Sequence, residues 1–145
     1  MARYLVVGNV TLTGDHLLEM IRDRAGDGPC QVHLLVPAGH EVTTWRAHDH
    51  DTDLAQASER LREALARFGA LDGVEVTGEV GDASPVEAVG DIVRNGRPFD
   101  EVILSTLPSG PSRWLRLDVP ARIERTCGVA VTHVVARREK VRGGH

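Results

Sequence analysis

The chain alternates short apolar runs with longer segments in which apolar residues recur every three or four positions. Residues 4–7 (YLVV) open the series with a continuous apolar run, the pattern of a strand buried on both faces. Gly8 and Asn9 stop it. Thr13 or Asp15 can cap a following helix whose stripe is Leu17, Leu18, Ile21 and Ala25, ended by the Gly26–Pro29 turn residues. Residues 31–36 (QVHLLV) predict a second strand, halted by Pro37. A polar segment, residues 39–50, leads to a second helix that starts at Asp51 or Asp53 and runs to about Phe68. Its face is Leu54, Ala57, Leu61, Ala64, Leu65 and Phe68. Residues 74–80 alternate as a third strand near a sheet edge. Ser84-Pro85-Val86-Glu87 is a full capping box for a third helix with Val86, Val89 and Val93 inward, closed by Asn95-Gly96.

Residues 102–107 predict a fourth strand that breaks at Pro108. Ser109, Gly110, Ser112 and Arg113 follow, with Trp114 in the connecting loop. Asp118 is read as the cap of a last helix, with Pro120 in its first turn and Val119, Ile123 and Cys127 four apart on one face. Gly128 ends it, and residues 129–135 form a fifth strand. Strict β-α alternation with buried strands predicts a single α/β domain over residues 1–137, a doubly wound parallel sheet with helices on both faces. Residues 138–145 are expected to be a disordered basic tail.

Composition narrows the function classes. With 145 residues and 41% hydrophobic content the chain can build one core, and with 3% aromatics it must use Val, Leu, Ile and Ala. Few aromatics and a formal net charge of -4 argue against a nucleic-acid partner. A single lysine, Lys140, among many arginines suggests a GC-rich bacterial genome. No run is long enough for a membrane span and no signal peptide is visible, so a cytoplasmic protein is expected. Cys30 and Cys127 have no metal-type spacing and read as small buried hydrophobes.

Candidate chemistry gathers after the fourth strand. A strand running into a Ser/Gly loop and a helix start is the geometry that holds anions in open α/β sheets. Ser105, Thr106, Ser109, Ser112 and Arg113 offer hydroxyls and a guanidinium suited to phosphate, although an ordinary loop also contains Ser, Gly and Pro. His40, His48 and His50 beside Asp49, Asp51 and Asp53 could gather a metal or simply form a solvated loop; the spacing matches no metal motif, and no metal is assigned. His33 and His133, inside apolar strands, read as satisfied core or edge residues. No nucleophile elbow, phosphate-binding Walker loop or dinucleotide fingerprint is present.

With these elements in order the chain resembles the universal stress protein family from Tyr4 to Val135. The likeness rests on the N-terminal strand with its small polar turn, on Gly81-Asp82 before a capped helix, and on the block from Val102 to Val135. The resemblance implies sheet order 3-2-1-4-5 and a ligand end between strands 1 and 4. There Gly8, Asn9 and Val10 follow strand 1, with Asn9 where the family usually has an aspartate near the nucleoside. Val36 and Pro37 lie near the family's adenine position, and Asp82 matches its glycine-aspartate turn. Ser105, Gly110 and Arg113 fall where members often have Ser, Gly and Arg. The family's three signature glycines fall on Leu104, Leu107 and Leu117, and its final Ser or Thr on Asp118. Leucine bulk and the Asp118 charge disfavour a bound triphosphate.

The family likeness therefore implies a non-catalytic, stress-related protein that binds ATP weakly or not at all. It would be a homodimer paired through the edge of its last strand (Val129, Val131, His133, Val135) and would act through partners. The alternative is a module for a nucleotide, ATP or another adenine nucleotide, or for another small anionic ligand, with a modified anion site after strand 4. A nucleotide hydrolase or metal-dependent enzyme is the least supported reading.

Overall fold

The computed structural model describes residues 1–39, 50–108 and 112–136. Five strands, β1 (Ala2–Val7), β2 (Cys30–Pro37), β3 (Val74–Gly81), β4 (Glu101–Thr106) and β5 (Val131–Val135), form one sheet. Its order is β3-β2-β1-β4-β5 and every neighbouring pair is parallel. The helices are α1 (Asp15–Gly26), α2 (His50–Gly69), α3 (Pro85–Arg94), α4 (Arg113–Arg116) and α5 (Val119–Cys127). The α/β class and the strand order are those expected from the sequence.

The two-residue period of the strands sorts their side chains into two cores. Val6, Leu34, Val36 and Ile103 pack with Leu17 and Ile21 of α1 and Ala57, Ala64 and Phe68 of α2. Leu5, Val7, Leu35, Val102 and Leu104 face the other way, onto Val89 and Ile92 of α3, Trp114 of α4 and Val119 and Ile123 of α5. The central strands can be apolar on every residue because both faces are covered.

The Ser84 half of the capping box forms, with Ser84 Oγ accepting from the Glu87 amide at 3.4 Å and Pro85 beginning α3, but the Ser84 amide donates to Asp82 Oδ1 at 2.9 Å and not to Glu87. The turn before it needs Gly81, where a Cβ would stand 2.9 Å from both Ala88 Cβ and Leu35 Cδ1. Gly128 ends α5 with φ 67.

Four local readings are corrected. Neither Thr13 nor Asp15 caps α1; Gly14 holds the cap position with no side-chain bond. The segment after β4 contains two helices instead of one. Ser112 is buried and its Oγ accepts from the Leu115 amide at 3.3 Å, which caps the short α4. That extra turn carries Trp114 into the core at 2% exposure. Asp118 does sit at the start of α5, but its backbone is left-handed, φ 56 and ψ 39, and its carboxylate makes no capping bond. A side-chain cap needs an extended backbone at that position. Asp118 instead makes the left-handed link that closes α4. The last strand also starts later than read, at Val131, and the Ala130 carbonyl just before it accepts from the Val102 N–H at 2.9 Å.

Ser109, Gly110, the histidine segment 40–49 with Trp45, and the basic tail lie outside the described residues.

Candidate functional site

The strand order reverses between β1 and β4, which makes the carboxyl ends of these strands the crevice where open α/β sheets take ligands. Asn9 follows β1 and is 3% exposed. Its Nδ2 donates to the carbonyl oxygens of Pro37, at 2.7 Å, and Gly39, at 3.0 Å. Its Oδ1 accepts from Arg60 Nη1 of α2. Both amide hydrogens and the carbonyl of this side chain are thereby committed, and Asn9 ties the end of β1 to the end of β2 and to α2. Burial disfavours the charged form of Arg60, opposed by the nearby Asp53.

Ser105 and Thr106, at the end of β4, are both fully buried. Ser105 Oγ lies 2.6 Å from Thr11 Oγ1 and 3.0 Å from His16 Nε2 at the start of α1. Burial lowers the His16 pKa, while Asp15 and Glu19 pull it the other way. A neutral His16 accepting from Ser105, which in turn accepts from Thr11, satisfies all three groups. A hydroxyl paired with an imidazole is the arrangement of an activated nucleophile, but Ser105 has no exposed surface through which a substrate could reach it. Thr106 points to the opposite face, with its Oγ1 2.8 Å from Nε2 of the exposed His133 on β5. The His133 pKa is also lowered by burial.

The remaining residues proposed from sequence are distributed as follows. Gly8 holds the end of β1 to β2 through its amide, which donates to the Leu35 carbonyl at 3.2 Å. Val36 is fully buried in the α1–α2 core and Pro37 is buried beside it, whereas Val10 is 39% exposed at the rim. Asp82 is exposed and uses Oδ1 to accept from the Ser84 amide at 2.9 Å, which orders the entry to α3. Arg113 is exposed on the first residue of α4. Leu104 is a core residue, Leu107 is half-buried and Leu117 is 47% exposed. On β5, His133 and Val135 are exposed and Val131 is half-buried, with Val129 in the turn before it. No group of three or more metal-ligating side chains is gathered among the described residues.

Three partners were missed from sequence: Thr11, His16 and Arg60. His16 and Arg60 sit on polar positions directly beside the apolar stripes of their helices. That flanking position was the available signal, since a residue there meets the sheet rim rather than solvent.

No protein-family model matches the chain, and no curated protein sequence does. Solved structures do match. The universal stress protein from Lactobacillus plantarum superposes with a TM-score of 0.65 at 12% identity, covering 94% of this chain and 97% of its own. The chain has the universal stress protein fold. A universal stress protein in complex with cAMP gives 0.55 at 19% identity, with 94% and 98% of the two chains covered. A family protein from Arabidopsis thaliana with AMP bound gives 0.58 at 16%, with 94% and 93% covered. In this version of the universal stress protein fold, the rim residues between β1 and β4 are bonded mainly to one another. No helix of the described residues is long and apolar enough to cross a membrane.

Proposed function

We propose that the protein is a non-catalytic, universal-stress-like assembly module of the cytoplasm, acting in stress response as a homodimer, with at most weak affinity for ATP. The observation that carries the reading is the closed hydrogen-bond set of Asn9. A ligand that took Asn9 as a partner would have to break bonds to Pro37, Gly39 or Arg60, and each buried group left unpaired costs about 1–3 kcal/mol. The committed hydroxyls of Ser105, Thr106 and Ser112 support the same reading, as do leucines at the signature glycine positions. The test is made on freshly purified protein. Denaturation should release no stoichiometric adenine nucleotide, and sedimentation should give the dimer mass. A stoichiometric nucleotide, or a single species of monomer mass at micromolar concentration, would refute it.

A second reading is favoured by the AMP and cAMP in the two related structures. A mononucleotide or other small anion would lie at the ends of β1 and β4, with Val10 and Pro108 at its edge and Arg113 as its cation. Calorimetry with AMP separates the two, because this reading requires saturable binding that Arg113→Ala abolishes.

A further inference from the structure

At the opposite end of the sheet, the amino-terminal halves of β2 and β3 extend beyond α3. The sequence marks this uncovered area: on the α3 side these strands carry Gln31, His33, Glu75, Thr77 and Glu79, where a helix-covered strand would carry apolar residues. The segment that leaves α3, Arg97-Pro98-Phe99, folds back beside them. Gln31, His33, Glu75 and Thr77 line, together with this segment, a pocket of about 360 Å³ with Arg3 at its edge.

Its floor is His33, 4% exposed. Nδ1 lies 2.7 Å from Thr77 Oγ1 and Nε2 lies 2.8 Å from Glu79 Oε2, so both ring nitrogens have partners. The Phe99 ring stacks beside the imidazole at 6.3 Å and 29°. Arg97 Nη1 lies 3.2 Å from one His33 nitrogen and 3.3 Å from the other, and the Arg97 guanidinium carbon stands 5.8 Å from the Phe99 centroid. A group equidistant from two ring nitrogens that already have partners rests on the ring face. A guanidinium held that way keeps its edge N–H donors for a planar acceptor.

The lining of the pocket carries more positive than negative side chains. Arg3 and Arg97 line it against one carboxylate, Glu75. Outside the lining, Glu79 Oε2 faces His33 and Asp100 Oδ2 accepts from the Arg3 amide at 2.8 Å, and both keep their negative charge. Neither guanidinium has an ion pair with a carboxylate among the described residues.

We propose that this pocket is a ligand site for a small carboxylate with a flat apolar body, its carboxylate on Arg97 and Arg3 and its body against Phe99 and Pro98. The site is distinct from the crevice between β1 and β4 and does not depend on what that crevice binds.

Benzoate is the probe, followed by NMR on the labelled full chain. The expected result is a saturable shift of the His33, Arg97 and Phe99 signals with the Asn9 amide unmoved. Arg97→Ala should weaken benzoate at least about tenfold, the loss expected for a charge-assisted pair. Benzamide, the same shape without the charge, should be weaker by a similar factor. Arg3→Gln, a substitution at a guanidinium outside the His33 contacts, should weaken binding with the His33 signals in their original places. Absence of a saturable shift, equal binding of benzamide, shifts confined to the Asn9 end, or full affinity in both arginine variants would each overturn the proposal.

Discussion

Asn9 shows why residue identity matters more here than position. An aspartate in its place would keep the acceptor for Arg60 and lose both donors, setting a carboxylate against the Pro37 and Gly39 carbonyls. Asn9→Asp, the residue the family likeness would favour, should therefore lower stability by about 1–3 kcal/mol in urea unfolding. An unchanged midpoint would mean that the clamp is dispensable. The sequence made Asn9 a candidate but concealed its role, because its partners are two backbone carbonyls and an arginine 51 positions away. The histidines give a pH prediction. His16, His33 and His133 all have pKa values lowered chiefly by desolvation. A folded pKa below the ordinary value near 6.5 means that the unfolded chain binds the proton more readily. Their contribution is complete above that value and is lost as pH falls below it. Urea midpoints should drop from pH 7.5 to about pH 5.5, and His33→Gln should shrink the drop.

At the scale of elements, legibility followed the locality of the signal. The Ser84 cap of α3 lies within four residues and could be read directly. Ser84→Ala should cost about 0.5–2 kcal/mol, visible as a lower melting temperature. Gly81 was legible as a turn residue, but its deeper constraint comes from Ala88 and Leu35 across the packing. Gly81→Ala should destabilise by about 1–3 kcal/mol through overpacking, and a neutral result would show that α3 can shift. The α4–α5 break was not legible. Asp118 is a common cap residue, and nothing local announces that the chain turns left-handed there to let Trp114 fill the core. The polar alternation of β3 was read as a sign of a sheet edge, and the structure adds that its polar face lines a pocket.

At the scale of the whole molecule, the two edge strands differ. The polar face of β3 lines the carboxylate pocket, while β5 is short and leaves one row of backbone groups without a strand partner among the described residues. The Ala130 carbonyl and the Ala136 amide both bond to β4. By alternation, the even-numbered residues between them face β4, and Val131, His133 and Val135 turn their amides and carbonyls outward. His133→Pro would remove an outward donor and keep the backbone ladder to β4, while giving up the side-chain bond to Thr106. In the dimer proposed here this variant should sediment as a folded monomer, and a variant that remained dimeric would place the interface elsewhere. Sheet order was legible only through the family likeness, because right-handed crossovers also permit other doubly wound orders. The closed state of the ligand end was only half legible: the leucines at the glycine positions could be read, but the mutual bonding of Asn9, Thr11, His16, Ser105 and Arg60 required the fold. The most direct test of that closure is calorimetric titration of the intact protein with ATP and magnesium. The account predicts no saturable heat into the millimolar range. Saturable binding with nanomolar affinity would contradict it.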